Sequence, residues 1–122
     1  MTKFQIKNRF TDGVIIEMEA ETFQEVVEKN KADLSEANLS NANLSNADLF
    51  NAKLSNADFS YAKLSNADFS NAKLSYADFS NANLSYAKLS NADLSNANLS
   101  NAKIKITQKE DLLKSLKIII EE

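Results

Sequence analysis

The side chains with chemical potential in this chain are carboxylates, lysines and three tyrosines, and about half of them recur at multiples of five residues. Residues 31–105 hold seven acidic and seven basic side chains, a net charge of zero. Carboxylates in such numbers invite acid–base chemistry, which requires a cleft that desolvates them or a neighbour that shifts their proton affinity. Cysteine and histidine are both absent. That removes disulfides, thiolate or imidazole metal sites, and every nucleophilic or acid–base scheme that needs either residue. The sequence therefore implies no catalytic residue, no metal and no cofactor.

The elements that carry these side chains follow from the period. From Ala32 to Ala102 an alanine stands at every fifth position, fifteen times, and two residues after each comes Leu, Phe or, at the end, Ile104. The unit reads A-[DNK]-[LF]-S-[NYE], with Phe50 in one serine place. An α-helix turns about 500° in five residues, so successive apolar pairs would scatter around it. A straight strand fails too, because an odd period flips each pair to the opposite face. Within a unit, however, Ala and Leu share a face if three residues are extended, and Ser and Asn favour a turn. One bend of constant hand per unit winds the chain into a coil. Its apolar pairs point inward, and stacked coils complete the backbone hydrogen bonds as parallel ladders.

The A-D-L-S-N units resemble the pentapeptide-repeat family over residues 32–104. The resemblance implies an all-β solenoid, a right-handed quadrilateral parallel β-helix with four units to a coil. Fifteen units then give about 3.75 coils, roughly 18 Å of rod at about 4.8 Å per strand. Residues twenty apart should stack. Leu34, Leu54, Leu74 and Leu94 would then line the inside of side one, and Leu39, Phe59, Phe79 and Leu99 that of side two. Leu44, Leu64, Leu84 and Ile104 fall on side three, and Leu49, Phe69 and Leu89 on side four. Phenylalanines thus face each other across the middle coils, as core. Outside, side one shows Asp33, Lys53, Lys73 and Asp93, and side two Asn38, Asp58, Asp78 and Asn98. Side three shows Asn43, Lys63, Asn83 and Lys103, and side four Asp48, Asp68 and Lys88. These columns read as a solvated surface. Phe50, Tyr61, Tyr76 and Tyr86 depart from the repeat at turn-side positions and are the candidate contact surface.

A solenoid exposes unpaired strand edges at both ends and needs caps. At the N-terminus Phe4, Ile6 and Phe10 alternate with polar residues, Asp12-Gly13 reads as a tight turn, and Val14, Ile16 and Met18 continue the alternation. Thr22 and Glu25 form a capping-box pattern before Phe23, Val26 and Val27, which predicts a short helix to about Asn30. This segment resembles an N-terminal module of bacterial members, I-x-N-R-[FY]-T-G-x-V followed by a helix. Thr107 and Glu110 repeat the capping-box spacing ahead of Leu112, Leu113, Leu116, Ile119 and Ile120 at helical intervals. That predicts an amphipathic C-terminal helix whose apolar stripe, with Ile118, exceeds what one coil end buries and favours a homo-oligomer. The organisation expected is one domain over 1–122, divided into a hairpin and helix cap (1–31), a β-helix (32–106) and a capping helix (107–122).

The function expected is a non-catalytic structural or protein-interaction scaffold that self-associates, its protein partner unspecified. The alternative comes from the family resemblance, since some members mimic duplex DNA and bind, inhibit or protect DNA gyrase. The charge argues against it: duplex DNA of ~18 Å carries about ten negative charges, whereas the repeats are neutral. Two lysines on side three make no basic groove, so no nucleic acid is expected. Calcium-binding β-rolls need glycine-rich nonapeptides, and ice-binding ladders use ranks of threonine. The polar N-terminus and the lack of a long apolar stretch predict a soluble, cytoplasmic chain with no membrane contact.

Overall fold

A computed structural model of the chain describes residues 1–105 and 109–116. Two strands, β1 (Thr2–Lys7) and β2 (Val14–Ala20), pair antiparallel, with Phe4 opposite Met18 and Ile6 opposite Ile16. The next pair is Lys7 with Val14, so the register slips and Ile15 forms a bulge.

The connecting loop differs from the tight Asp12-Gly13 turn expected. It is built on Asn8, whose amide N–H donates to the Gly13 carbonyl at 2.8 Å and whose side-chain oxygen accepts from the N–H groups of Phe10 (2.8 Å) and Thr11 (3.1 Å). Asp12, at φ 64°, takes the left-handed conformation, and Gly13 does not. Phe10 consequently sits in the loop, 63% exposed, and does not continue the buried face of β1. A Cβ on Gly13 would meet Thr11 Oγ1 at 3.4 Å, an ordinary contact. Gly13→Ala should therefore leave thermal stability unchanged or raise it by up to about 1 kcal/mol, by restricting the unfolded chain. A melting temperature lowered by several degrees would contradict this backbone assignment.

The short helix α1 (Phe23–Lys29) begins at Thr22, whose hydroxyl accepts the Glu25 N–H at 3.2 Å. The Glu25 carboxylate returns to the Glu21 N–H at 3.2 Å, one residue before the capping-box position. Val26 and Val27 are fully buried, and Phe23 meets Phe4 edge-on with ring centroids 5.9 Å apart.

From Leu34 onward each repeat makes the same turn. The alanine N–H donates to the Leu or Phe carbonyl three residues earlier, as from Ala57 to Leu54 at 3.0 Å, and the residue before the alanine lies at φ near 60°. Glycine would be the usual occupant there, yet the chain has one glycine. Asparagine fills most of these corners because its short amide tolerates the left-handed region better than other side chains. Four such corners occur per twenty residues, and the flat sides between them stack. Parallel bridges link Asn38, Asp58, Asp78 and Asn98 in one column, Asn43, Lys63, Asn83 and Lys103 in the next, then Asp48, Asp68 and Lys88, then Lys53, Lys73 and Asp93. The last column starts at Lys53, whose N–H donates to the Lys31 carbonyl at 2.8 Å. Accordingly Asp33 is not part of the ladder, and Ala32, expected inside, is exposed.

The core is the stack of Leu, Phe and Ala side chains inside the coils. Phe59 and Phe79 stack face to face at 4.9 Å, and Phe69 meets them edge-on at 5.7 and 5.8 Å from the opposite side. The N-terminal edge is closed by borrowed partners. The Lys7 carbonyl accepts the Asn38 N–H (2.7 Å), the Glu36 carbonyl accepts the Arg9 N–H (2.8 Å), and the Glu28 carboxylate accepts the Asp48 N–H (2.7 Å). At the other end α2 (Lys109–Ser115) seats Leu112 and Leu116 against the core. The Ser115 carbonyl accepts the Leu94 N–H at 2.7 Å, and its hydroxyl donates to the Leu89 carbonyl at 3.0 Å.

Candidate functional site

The outward position has a structural duty in those stacked repeats that place Asp or Asn there. Where it is Asp or Asn, the side-chain oxygen accepts the N–H two residues on: Asp58 from Ser60 at 2.8 Å, Asp68 from Ser70 at 2.9 Å, Asp78 from Ser80 at 2.9 Å and Asp93 from Ser95 at 3.0 Å. These are Asx turns, which hold the chain at the entry to each corner. Five of the seven repeat carboxylates, Asp48, Asp58, Asp68, Asp78 and Asp93, are thus bonded to their own backbone, on a convex wall. Asp48 also accepts the Lys31 ammonium at 3.0 Å. That bond, then the Phe50 N–H, holds its carboxyl below the usual carboxylate range. A lowered folded-state value makes this contact stabilising above the ordinary carboxylate range, and it is lost as pH falls through the lowered value. Among the described residues no group of three or more acidic side chains is arranged to hold a metal ion.

The structure disperses the four candidate aromatics. Tyr76, Tyr61 and Tyr86 occupy three successive corners, and Phe50 lies at the start of the fourth. All are exposed, the tyrosines by 56–61%, so each corner of the rod displays one aromatic and no two share a face centre. Their backbone is the notable feature. Tyr61, Tyr76 and Tyr86 sit at φ 60–62°, in corners that elsewhere hold Asn or, once, Glu36. A bulky side chain there costs on the order of 1–2 kcal/mol, and an exposed ring regains little of it. Tyr76→Asn is therefore expected to stabilise the fold by about 1 kcal/mol in urea unfolding. A lowered midpoint would show that the ring is held by packing.

For self-association, Leu112 and Leu113 on α2 and Leu116 directly after it are half-buried, and Leu112 and Leu116 pack against the core at the coil end. Ile119 and Ile120, with Thr107 and Ile118, lie outside the described residues. An open hollow of about 500 Å³ runs between Ser90–Asp93 and the Asp111 and Lys114 side of α2. Asp93, which also accepts its neighbour's hydroxyl, is committed to its turn.

Three residues that matter were not singled out by sequence. Arg9 reaches along side two, donating to the Asn56 carbonyl at 3.2 Å and standing 3.8 Å from Asp78, with the Phe10 ring 4.8 Å from its guanidinium. Its signal was the N-R pair of the N-terminal module, in which Asn8 also binds Glu36 at 3.0 Å. Glu28 and Ser115 carried none, because a charged or small polar residue in a short helix is commonplace.

Geometry alone defines the class: a β-solenoid whose wall is one five-residue unit, closed by a hairpin and helix at one end and a helix at the other. Pentapeptide repeats match in eight copies over residues 30–66 and 62–101, and the chain belongs to the pentapeptide-repeat family. The family's right-handed β-helix is thus its fold. Similar solved structures include a pentapeptide repeat protein from the cyanobacterium Cyanothece 51142, with 32% identity over 57% of each chain and a TM-score of 0.38. Another is a pentapeptide repeat protein of the Arabidopsis thaliana thylakoid lumen, with 33% identity over 70% of this chain and 66% of that one, TM-score 0.34. QnrB1, a plasmid-mediated fluoroquinolone resistance protein, is 25% identical over 72% of this chain and 44% of its own, TM-score 0.41. The chain thus spans less than two thirds of these three proteins. No curated protein matches at a significant level. No helix among the described residues is long and apolar enough to cross a membrane.

Proposed function

We propose that the protein is a non-catalytic interaction scaffold, a rod of about 3.75 coils whose flat faces and aromatic corners meet protein partners, and which self-associates through its C-terminal helix. One observation carries this reading: five of the seven repeat carboxylates are bonded to their own turns on a convex wall, while exposed tyrosines are kept in strained corners. Strain retained at exposed positions is characteristic of contact sites. The amphipathic stripe of Leu112, Leu113, Leu116, Ile119 and Ile120 is the proposed self-association surface. Mimicry of DNA is not favoured, because sides one and four mix Lys and Asp, side three carries only Lys, and side two alone is acidic.

Leu113 is half-buried, and Leu113→Asp would place a charge in that stripe. The wild-type chain is expected to show at least twice the monomer mass in light scattering, and the variant, still folded by circular dichroism, the monomer mass. A monomeric wild type at high concentration would sink the self-associating scaffold.

A further inference from the structure

The loop that leaves β1 seats the N-terminal segment on the first coil. The Lys7 carbonyl accepts the Asn38 N–H at 2.7 Å, the Arg9 N–H donates to the Glu36 carbonyl at 2.8 Å, and the Asn8 amide donates to the Glu36 carboxylate at 3.0 Å. Glu28 and Lys31 reach Asp48 in the same coil. Among the described side chains of residues 1–31, that of Arg9 alone carries a polar contact to a later coil. Its guanidinium donates to the Asn56 carbonyl, in the second coil, at 3.2 Å and stands 3.8 Å from the Asp78 carboxylate, in the third. Both partners are set to hold it. The Asn56 carbonyl leaves the ladder at its corner and has no other donor among the described residues, and the Ser80 N–H fixes the Asp78 carboxylate from 2.9 Å. The two charged side chains are 21% and 25% exposed, so salt screens them less than it does a surface pair. Coils of a solenoid touch only their neighbours, and a free end opens one coil at a time. A residue bonded to the first, second and third coils breaks that rule.

We propose that Arg9 is a strap that couples the N-terminal cap to side two of the third coil, so that the cap and the first three coils open as one unit and the charge on Asp78 governs how firmly the cap is seated. Neutralising Asp78 leaves the guanidinium one neutral acceptor, Asn56, and so loosens the Glu36 and Asn38 bonds two coils below. Side two thereby regulates the N-terminal edge of the wall. The Phe10 ring, 4.8 Å from the guanidinium, lies over the same contact. On the opposite side the arrangement differs. Asp68 stands where Asp78 does, two sides earlier, and makes the same turn bond with Ser70 at 2.9 Å. Among the described residues it has no ion pair, and the cation that the cap sends to that side, Lys31, stops at Asp48 in the first coil. The strap is thus confined to side two, and Asp68 supplies its internal control.

The experiment is native-state amide hydrogen exchange on the full chain, read residue by residue, with circular dichroism to verify that each variant folds. The variants are Arg9→Ala, Asp78→Asn, the two combined, and Asp68→Asn. Asparagine keeps the turn, since Asn38 and Asn98 accept the N–H groups of Ser40 and Ser100 at 3.1 and 3.0 Å from the same repeat position. In the wild type the Asn38 and Phe59 N–H groups are expected to share one opening free energy. Arg9→Ala should speed exchange at Asn38 about tenfold or more, the weight of a charge-assisted hydrogen bond. Asp78→Asn should speed it about threefold, as for a partly exposed ion pair, although the substitution lies two coils away. The Phe79 N–H, which donates to the Asn98 carbonyl at 2.7 Å, should keep its wild-type rate in Arg9→Ala. The combined variant should exchange no faster at Asn38 than Arg9→Ala alone, because both substitutions break one contact. Several outcomes overturn the strap: Asn38 unmoved by Asp78→Asn, Asp68→Asn acting on Asn38 as strongly, Arg9→Ala speeding every coil equally, or the two substitutions multiplying in the combined variant. A wild type in which Asn38 already exchanges far faster than Phe59 overturns it as well.

Discussion

Replacing Phe69 by alanine is expected to lower the unfolding free energy by about 3–5 kcal/mol, the range for a large aromatic removed from a closed core. The ring is fully buried and meets Phe59 and Phe79 edge-on at 5.7 and 5.8 Å, from the side opposite their own stack. It is the keystone of the only three-ring cluster among the described residues. Truncation leaves a cavity that ladders on every side prevent from collapsing, and two edge-to-face pairs are lost with it. A fall of more than about 10 °C in Tm should result. Phe69→Leu is the informative companion, because Leu49 and Leu89 occupy the same column. It should cost about 1–1.5 kcal/mol. Equal losses in the two variants would show that ring packing contributes little.

Ala67→Leu is expected to destabilise by about 3 kcal/mol, the upper end for overpacking. Ala67 is fully buried, its N–H donates to Leu64 at 3.1 Å and its carbonyl accepts from Lys88 at 2.8 Å. The backbone is therefore held on both sides and cannot retreat from three added carbons. Ala47 and Ala87, one coil below and above, are closed as well. Thermal unfolding measures the effect, and an unchanged Tm would remove inward alanine from the account of this fold.

The coil was legible because a single constraint, period five, eliminated helix and straight strand together, and stacking at twenty followed once the family was recognised. The stacked columns and the Phe59, Phe69 and Phe79 cluster lie where that spacing puts them. The ends were less legible, since they do not repeat. Ala32 obeys the sequence period yet is exposed, because the Asn30–Asp33 turn that leaves α1, closed by the Asp33 N–H to Asn30 at 3.0 Å, overrides it. The Asp12-Gly13 pair suggested a tight turn, but Asn8 closes a longer loop by side-chain bonds that no local pattern announces.

The candidate surface was legible in composition and not in arrangement. Phe50, Tyr61, Tyr76 and Tyr86 stand out as departures from the repeat, and their exposure is as anticipated. That they fall on four different corners follows from their positions modulo twenty, while the left-handed backbone beneath the tyrosines needs dihedral angles to be seen. Arg9 was hidden because its partners, Asn56 and Asp78, lie far along the chain and on different coils.

The twenty-residue stacking bears on how such a gene can change length. Loss or duplication of one repeat keeps every Ala and Leu inward but turns all downstream faces by one side. Columns of charge would be broken at that point, and the seat that Leu89 and Leu94 offer Ser115 would be carried round to a different edge. A change of four repeats removes or adds one whole coil and leaves each column in line. Variation by sixty nucleotides is thereby nearly silent for the surface, whereas variation by fifteen rewrites it, so heritable length change in this wall is quantised by the coil rather than by the repeat.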